Sequence, residues 1–482
     1  MKAIVFVLIF SFLISFAGCT TDNPSNNQEN ENSEGVEVLD AAIEKELAAG
    51  ESFDIAVEKN LGENYYLTVK YSSEVYMKGT IKYCDPADRE YAAEESFFLE
   101  PKQDGEFCIF IGQEETENSL LFMERVLTGI SFDNIEEKAG SFSVESMHFT
   151  YKDMPFGYHF LENDTLKLGI NLGAGGGVFF LAYLAENVYQ VDVDGKVEIG
   201  IDYDQLPGAV KRYEGEINLL NFHDVGRLVQ QSYYGTFEEP YVPGVYHGAT
   251  VPYNPVQGGD QNKNQSKIVD YVQTDTEIYV KCQPRDWAPA KLCDAYMENW
   301  YTLEDNTVKI RNRFTDFTGY VPRYASQEMP AVYTVRSLDN WKVYDGDAPF
   351  TDGELSTYQA QTEDLGGQLT NTKLSENWSA LVNDDDFGVA VYLPDITNGS
   401  HAIFGNNNVL ENIYDPYYNI ALSQHNATSY ITMIGQTAFE SFKPLEYVSY
   451  LSAGRLSDMR QTFYRLHEEG ANNHSFLSYM ED

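Results

Sequence analysis

From Phe53 onward the chain is written in short segments of alternating polar and apolar residues, each closed by Gly, Asp, Asn or Pro. FDIAVEK, YYLTVKYSS, VYMKGTIKY, SFFLEP, EFCIFIG, SFDNIEE and FSVESMHFTY succeed one another in this way as far as Tyr151. A period of two marks strands with one buried face, and turn residues at regular intervals between them predict an antiparallel sandwich of roughly a hundred residues. The pattern resets near Met154 to Tyr158. TLKLGINL, GGVFFLAYL, EINLLNF, EIYVKCQ, TVKIRNRFTDF, AVYTVRSL, GVAVYLP and SYITMIG then continue it into a second, larger all-β region. Helices are a minor element: LDAAIEKELAAG at 39–50 has helical composition, and a short C-terminal helix is expected from Ser457 as N-cap, through Met459, Phe463 and Leu466, to a stop at Gly470. No βαβ rhythm, P-loop or strand-linked GxGxxG is present, so nucleotide folds are disfavoured.

The first nineteen residues, MKAIVFVLIFSFLISFAGC, place one Lys before an apolar run and small residues before Cys19, the layout of an export signal. The run is too short to span a bilayer stably. Its ending, F-A-G-C, resembles the bacterial lipoprotein signal. That resemblance implies lipidation of Cys19 and a cell-membrane protein anchored through its lipid on the extracytoplasmic face. Residues 20–38 begin with TTDNPSNNQENENSEG, too polar to order themselves, and read as a tether.

Acidic residues outnumber basic ones 75 to 32, for a formal charge of −43. Nucleic acid is therefore excluded as a partner, since phosphate binding needs clustered Lys and Arg. Cys84, Cys108, Cys282 and Cys293 form no CxxC pattern, and either disulfides or buried thiols fit their spacing. The scattered histidines offer no zinc arrangement and no cofactor motif occurs; VDVDGK, with Asp192 and Asp194, and NDDD at Asn383–Asp386 have oxygen ligands that suit structural calcium or simply solvated turns.

The stretch NFHDVGRLVQQSYYG, from Asn221 to Gly235, carries an imidazole, a carboxylate, a guanidinium, amides and phenols where a purely structural strand would carry Val and Ile. That mixture suits recognition of a sugar-like ligand. If the strand runs unbroken, His223, Arg227, Gln231 and Tyr233 share one face, and Asp224, Gln230 and Tyr234 the other. His223 is a candidate proton-transfer group, with a satisfied core histidine as the alternative. Arg227, Gln230, Gln231 and Tyr233 are candidate binding groups. A second cluster, YNPVQGGD, offers Asn254, Gln257 and Asp260 on a tight loop, where the alternative is a turn bonded to its own backbone. The third is Gln327 and Glu328 ahead of MPAVY. A carboxylate beside apolar groups is partly desolvated, which raises its pKa toward the range useful for acid/base work, so Glu328 is the leading catalytic candidate. An ion pair with Arg311, Arg313 or Arg323 is its structural alternative. Trp287, among the turn residues of CQPRDWAP, is suited to stack on a sugar face.

The 39–153 region resembles the jelly-roll-like β-sandwich accessory modules of carbohydrate-active enzymes, and Tyr65, Tyr66, Tyr71 and Tyr76 are either sugar platforms or simple β-formers. In the 154–482 region the order LKLGINLGAGGGVFFL, then INLLNFHDVGRLVQQ, then QEMPAVY resembles the galactose-mutarotase-like supersandwich. The Asn-His-Thr run of characterised mutarotases is missing. The resemblance implies a large antiparallel β-supersandwich that binds sugar. Together with the residues it suggests a surface enzyme cleaving oligo- or polysaccharide, either a glycoside hydrolase with Glu328 and Asp260 as its carboxylates or a polysaccharide lyase. A non-catalytic glycan-binding lipoprotein is the alternative.

Overall fold

The computed structural model describes residues 35–112, 124–153, 155–193, 196–201, 211–214, 216–223, 226–239, 241–359, 370–405, 411–415, 420–424 and 426–471. Residues 1–34, with Cys19 and most of the expected tether, lie outside them, as do Met154, Asp194 and Asp224. Val36 and Glu37, expected as tether, instead pair with Phe149 and His148.

The described chain is nearly all antiparallel β. Two five-stranded sheets form the N-terminal sandwich. One is built on Gly140–Thr150, Tyr66–Ser73 and Lys102–Phe110, the other on Arg125–Asn134, Met77–Cys84 and Ala92–Leu99. Their alternation predicted one buried face, and Leu67, Val69, Ile81, Phe97, Ile130 and Val144 meet in a single core. LDAAIEKELAAG is not a helix: Ile43–Leu47 is an edge strand that pairs with Gly140–Val144 and buries Leu47, so sheet pairing overrides local helix propensity. Tyr65, Tyr71 and Tyr76 are buried, and the Tyr66 hydroxyl donates to Asp270 at 2.8 Å, so these tyrosines build the core and the junction rather than an exposed platform.

The large region is a supersandwich. A nine-stranded sheet runs in the spatial order Lys267–Gln273, Glu277–Gln283, Ala295–Glu304, Thr307–Asp316, Leu445–Arg455, Phe387–Tyr392, Trp378–Val382, Asn340–Val343 and Ser356–Gln359. Its core also takes in Val332 and Ile431 from the four-stranded sheet of Ala325–Val335, Thr428–Thr437, Asn398–Phe404 and Thr370–Lys373. The helix, Leu456–Glu468, packs Met459, Phe463 and Leu466 against Trp378 and Tyr392. Its N-cap is Arg455, not Ser457, whose hydroxyl instead bonds Asp458 within the first turn. Gly470, at φ +81°, follows the C-cap residue Glu469, where the left-handed region favours glycine. Arg460 anchors the helix through two nitrogens on the buried Glu376 carboxylate.

The two sandwiches share their packing. Phe98 packs against Tyr296 of the large sheet and Phe317 just past its Thr307–Asp316 strand, two rings that also meet each other, and its backbone N–H donates to the Tyr296 hydroxyl. Lys267 and Glu95, both buried, form an ion pair across the junction, and Arg313 gathers Glu100, Glu298 and Glu446. The four described cysteines are thiols. Asn383 accepts the Asp385 and Phe387 N–H groups and donates to the Ile199 carbonyl, so its amide closes its own turn.

His401 is fully buried between the sheets, its ring tilted against that of Trp341. Burial holds its pKa down, from 6.5 to about 4. The unfolded chain therefore binds a proton between those values that the folded chain does not, and stability falls as pH drops through this window. Denaturant unfolding at pH 7 and near pH 4 should show a loss of about 3 kcal/mol that the His401→Leu variant does not share. Equal losses in both proteins would refute the assignment.

Candidate functional site

Two extended segments of the large sandwich lie antiparallel. Gln257 N–H donates to the Gln231 carbonyl at 3.0 Å, Tyr233 N–H to the Pro255 carbonyl at 3.2 Å, and Gly235 N–H to the Tyr253 carbonyl at 2.6 Å. Extended backbone sends successive side chains to opposite faces. Leu228, Gln230, Ser232 and Tyr234 consequently line one cavity with Pro252, Asn254 and Val256, while Val229, Gln231, Tyr233, Tyr253 and Gln257 turn into the core.

The third wall is Ala325–Val335, which pairs with Thr428–Thr437. Glu328 is opposite Ile434 but Ala331 is opposite Thr432, so one extra residue is accommodated between them. This bulge changes which residues share a face. Glu328, Ala331 and Tyr333 all line the cavity, and Gln327, Met329 and Val332 are buried beneath. Tyr246, Thr250 and Val251, from the hairpin of Gly244–Tyr246 and Ala249–Val251, complete the lining with Trp287, whose ring meets Tyr246 edge-on at 5.6 Å. The cavity holds about 440 Å³, within the range of small-molecule sites.

Among the described lining residues Glu328 is the only carboxyl. It accepts a hydrogen bond from the Tyr430 hydroxyl at 2.6 Å. Burial pushes its pKa above the ordinary carboxyl value, and the Tyr430 bond pulls back only in part. Tyr234 is held protonated, first by the neighbouring Glu328 charge and then by burial. Of the arginines that could have neutralised Glu328, Arg313 and Arg311 pair with other glutamates and Arg323 lies over Phe237.

Glu328, Gln230, Asn254 and Trp287, chosen from four separate stretches of sequence, thus meet in one cavity. The other chosen residues do not line it. Gln231 and Tyr233 enter a buried chain in which the Tyr233 hydroxyl donates to Gln231 Oε1, and Gln231 Nε2 donates to Asn299 Oδ1 and the Glu298 carbonyl. Gln257 accepts the Gln231 N–H and donates to the Gly175 carbonyl. That contact also explains the glycine-rich turn, since a Cβ on Gly175 would fall 1.9 Å from the Gln257 carbonyl oxygen. Gln327 grips the Tyr234 backbone at both its N–H and its carbonyl. Asp260 is fully buried and accepts the N–H groups of Asn262 and Asn264 and the Asn264 amide, the self-bonded turn. His223 is exposed, and Arg227 donates to the Asn426 carbonyl at 2.8 Å.

Sequence reading missed Tyr430, Tyr246, Ser232 and Asp286. Buried Asp286 accepts the Asn254 N–H and the Tyr241 hydroxyl, and the Trp287 N–H donates to the Asn254 carbonyl, so one short turn sets both Asn254 and Trp287. Only the alternation that links Ser232 and Tyr234 to Gln230 could have revealed any of them; Tyr430 lies about a hundred residues from Glu328 with no local signal.

No protein-family model matches the sequence, and no curated protein matches it. Similar solved structures include the GalM/aldose epimerase homologue from C. elegans, at TM-score 0.33 and 9% identity over 62% of this chain and 98% of that one. A galactose mutarotase related enzyme from Lactobacillus acidophilus matches at TM-score 0.31 and 11% identity, covering 62% of this chain and 97% of that one. An alpha-mannosidase from Enterococcus faecalis matches at TM-score 0.33 and 10% identity, over 90% of this chain and 44% of that one.

Carbon-13 titration of the Glu328 carboxyl should give a midpoint above 4.5. Tyr430→Phe, which removes a donor to the ionised form, should move it higher still. A midpoint that falls in the variant would contradict this geometry.

Proposed function

We propose that the cavity binds units of an oligo- or polysaccharide and that Glu328 transfers the proton in its cleavage. The observation that carries this reading is the convergence on one cavity of a desolvated carboxyl, two amides, two hydroxyls, phenols and an indole. A sugar ring presents hydroxyls at its edge and C–H groups on its faces. Gln230, Asn254 and Ser232 match the first, and Trp287, Tyr246 and Tyr333 the second.

The common hydrolytic scheme places two carboxyl groups across the bond, on the order of 5–10 Å apart. Glu328 is alone in the described lining, and Asp260 serves its own turn. Elimination needs only one carboxyl, and the described lining supplies it in Glu328. Glu328 would take the proton α to a uronate carboxyl, the Gln230 amide and the Ser232 hydroxyl, which Asn254 orients, would hold that carboxyl, and the protonated Tyr234 would give its proton to the leaving oxygen. Hydrolysis would require a second carboxylate, and Asp224, outside the described residues, is the reserve the sequence offers.

Location rests on the sequence. The export signal and the F-A-G-C ending support a protein held outside the cytoplasm by lipid on Cys19.

Incubation with uronate-containing polysaccharides should yield an unsaturated, ultraviolet-absorbing product. Glu328→Gln should lower the rate by about 10²–10⁴ and leave binding within a few-fold. Reducing ends without absorbance would select hydrolysis, and binding without turnover in the native protein would select a capture protein. In a bacterial host, Cys19→Ala should abolish incorporation of labelled fatty acid and release the protein from the membrane fraction. Unchanged fractionation would remove the anchor from this account.

A further inference from the structure

The floor of the cavity is a ladder of three extended segments. In its first pair Ser232 stands opposite Val256, which sets Tyr234 opposite Asn254. In its second Val256 stands opposite Arg285 and Pro255 opposite Asp286, and the Trp287 N–H donates to the Asn254 carbonyl. Opposed residues of an antiparallel pair project to one face, roughly 5 Å apart. Two rows therefore cross the floor on the cavity side: Tyr234, Asn254 and Trp287, then Ser232, Val256 and Arg285. The first five line the cavity, and Arg285 borders it beside Trp287 and Val256.

The Arg285 guanidinium is anchored at one nitrogen only. Its Nε donates to the Gln265 carbonyl at 2.6 Å, which fixes the plane of the group. Its Nη1 is 3.8 Å from Asp260 Oδ2, beyond hydrogen-bond reach. Asp260 is satisfied without it by the Asn262 and Asn264 N–H groups and the Asn264 amide. Among the described residues neither terminal nitrogen of Arg285 donates a hydrogen bond, and 22% of the side chain is open to solvent.

Charge makes this position unusual. The protein carries a formal −43, and the one ionisable acid or base of the described lining with a charge to offer is Glu328, a carboxyl. An anionic chain is repelled by both, so its retention requires a cation on the face it lies along. A guanidinium with two free terminal nitrogens is the group that grips a carboxylate by both oxygens.

We infer that Arg285 receives the acid group of the sugar unit next to the reacting one, and that the ligand is a glycan with acid groups on successive units. The inference rests on the saccharide reading of the cavity and deepens it. Two strand spacings, about 10 Å, separate Ser232 from Arg285. That is farther than one pyranose ring reaches, so a unit held at Ser232 and Gln230 leaves Arg285 to its neighbour, whose C–H face lies toward Trp287.

The test uses the full-length protein in detergent with Glu328→Gln to stop turnover. Binding of oligogalacturonates and alginate oligomers of one to six units, and of their carboxyl-reduced counterparts, is measured by calorimetry. Adding Arg285→Gln should weaken binding of the acidic oligomers about tenfold or more. Affinity for a single uronate and for the reduced oligomers should stay within about twofold. Where Arg285→Gln does not fold, Arg285→Lys carries the same comparison, with a loss again confined to acidic oligomers. Equal losses for acidic and reduced oligomers would make Arg285 a support of the Asp260 turn and overturn the subsite. A loss already complete at the single uronate would place Arg285 at the reacting unit and also overturn it. If acidic and reduced oligomers bind alike before Arg285 is changed, the subsite falls and the saccharide reading stands. No binding by any oligosaccharide removes both.

Discussion

The two-residue period of extended backbone is the constraint on which this molecule depends. It acts on Leu228–Tyr234 and on its neighbour Pro252–Gln257, and in each it sends one set of side chains inward and the other into the cavity. The inward set is unusually polar for a sandwich core. Gln231, Gln257, Tyr233 and Asn299 are buried and bonded to one another, because an unbonded amide there would cost its full desolvation. A slip of one residue would exchange the sets and expose the core network, so the satisfied amides hold the register that aims Gln230, Ser232 and Tyr234 outward.

On the third wall a uniform period would fail. Were the strand to keep its two-residue period through Met329 and Pro330, Glu328 would share its face with Val332, a core residue. The bulge lets the strand bury Met329 and Val332 and still present Glu328 beside Tyr333. Gln327, which a sequence reading offers as a ligand group, is the clamp that ties this strand to Tyr234. The residue next to it in sequence is the one in the cavity.

The accessory sandwich is welded rather than tethered to the large one. Glu95 and Lys267 are paired in the dry junction, and Arg313 holds glutamates from both sides. Such pairs add little net stability against their desolvation, yet breaking one strands a charge, so they penalise any other arrangement of the two sandwiches. With Phe98 packed against Tyr296 and Phe317, the sheet that carries Glu298 and Asn299 toward the cavity network is braced from behind.

Sequence alone determined the all-β class, the two successive β regions and the C-terminal helix, because hydrophobic period and turn residues are local properties. It also singled out Glu328, Gln230, Asn254 and Trp287, since a polar or aromatic residue in an unexpected local setting is visible in one dimension. It could not separate Gln230 from Gln231 or Glu328 from Gln327, for adjacent residues on a strand look alike until a partner strand decides which face is wet. Tyr430 and Asp286 were invisible for a related reason. Their roles are contacts across the sheet and across a turn, and hydrogen bonds between segments distant in sequence exist only once the chain has folded.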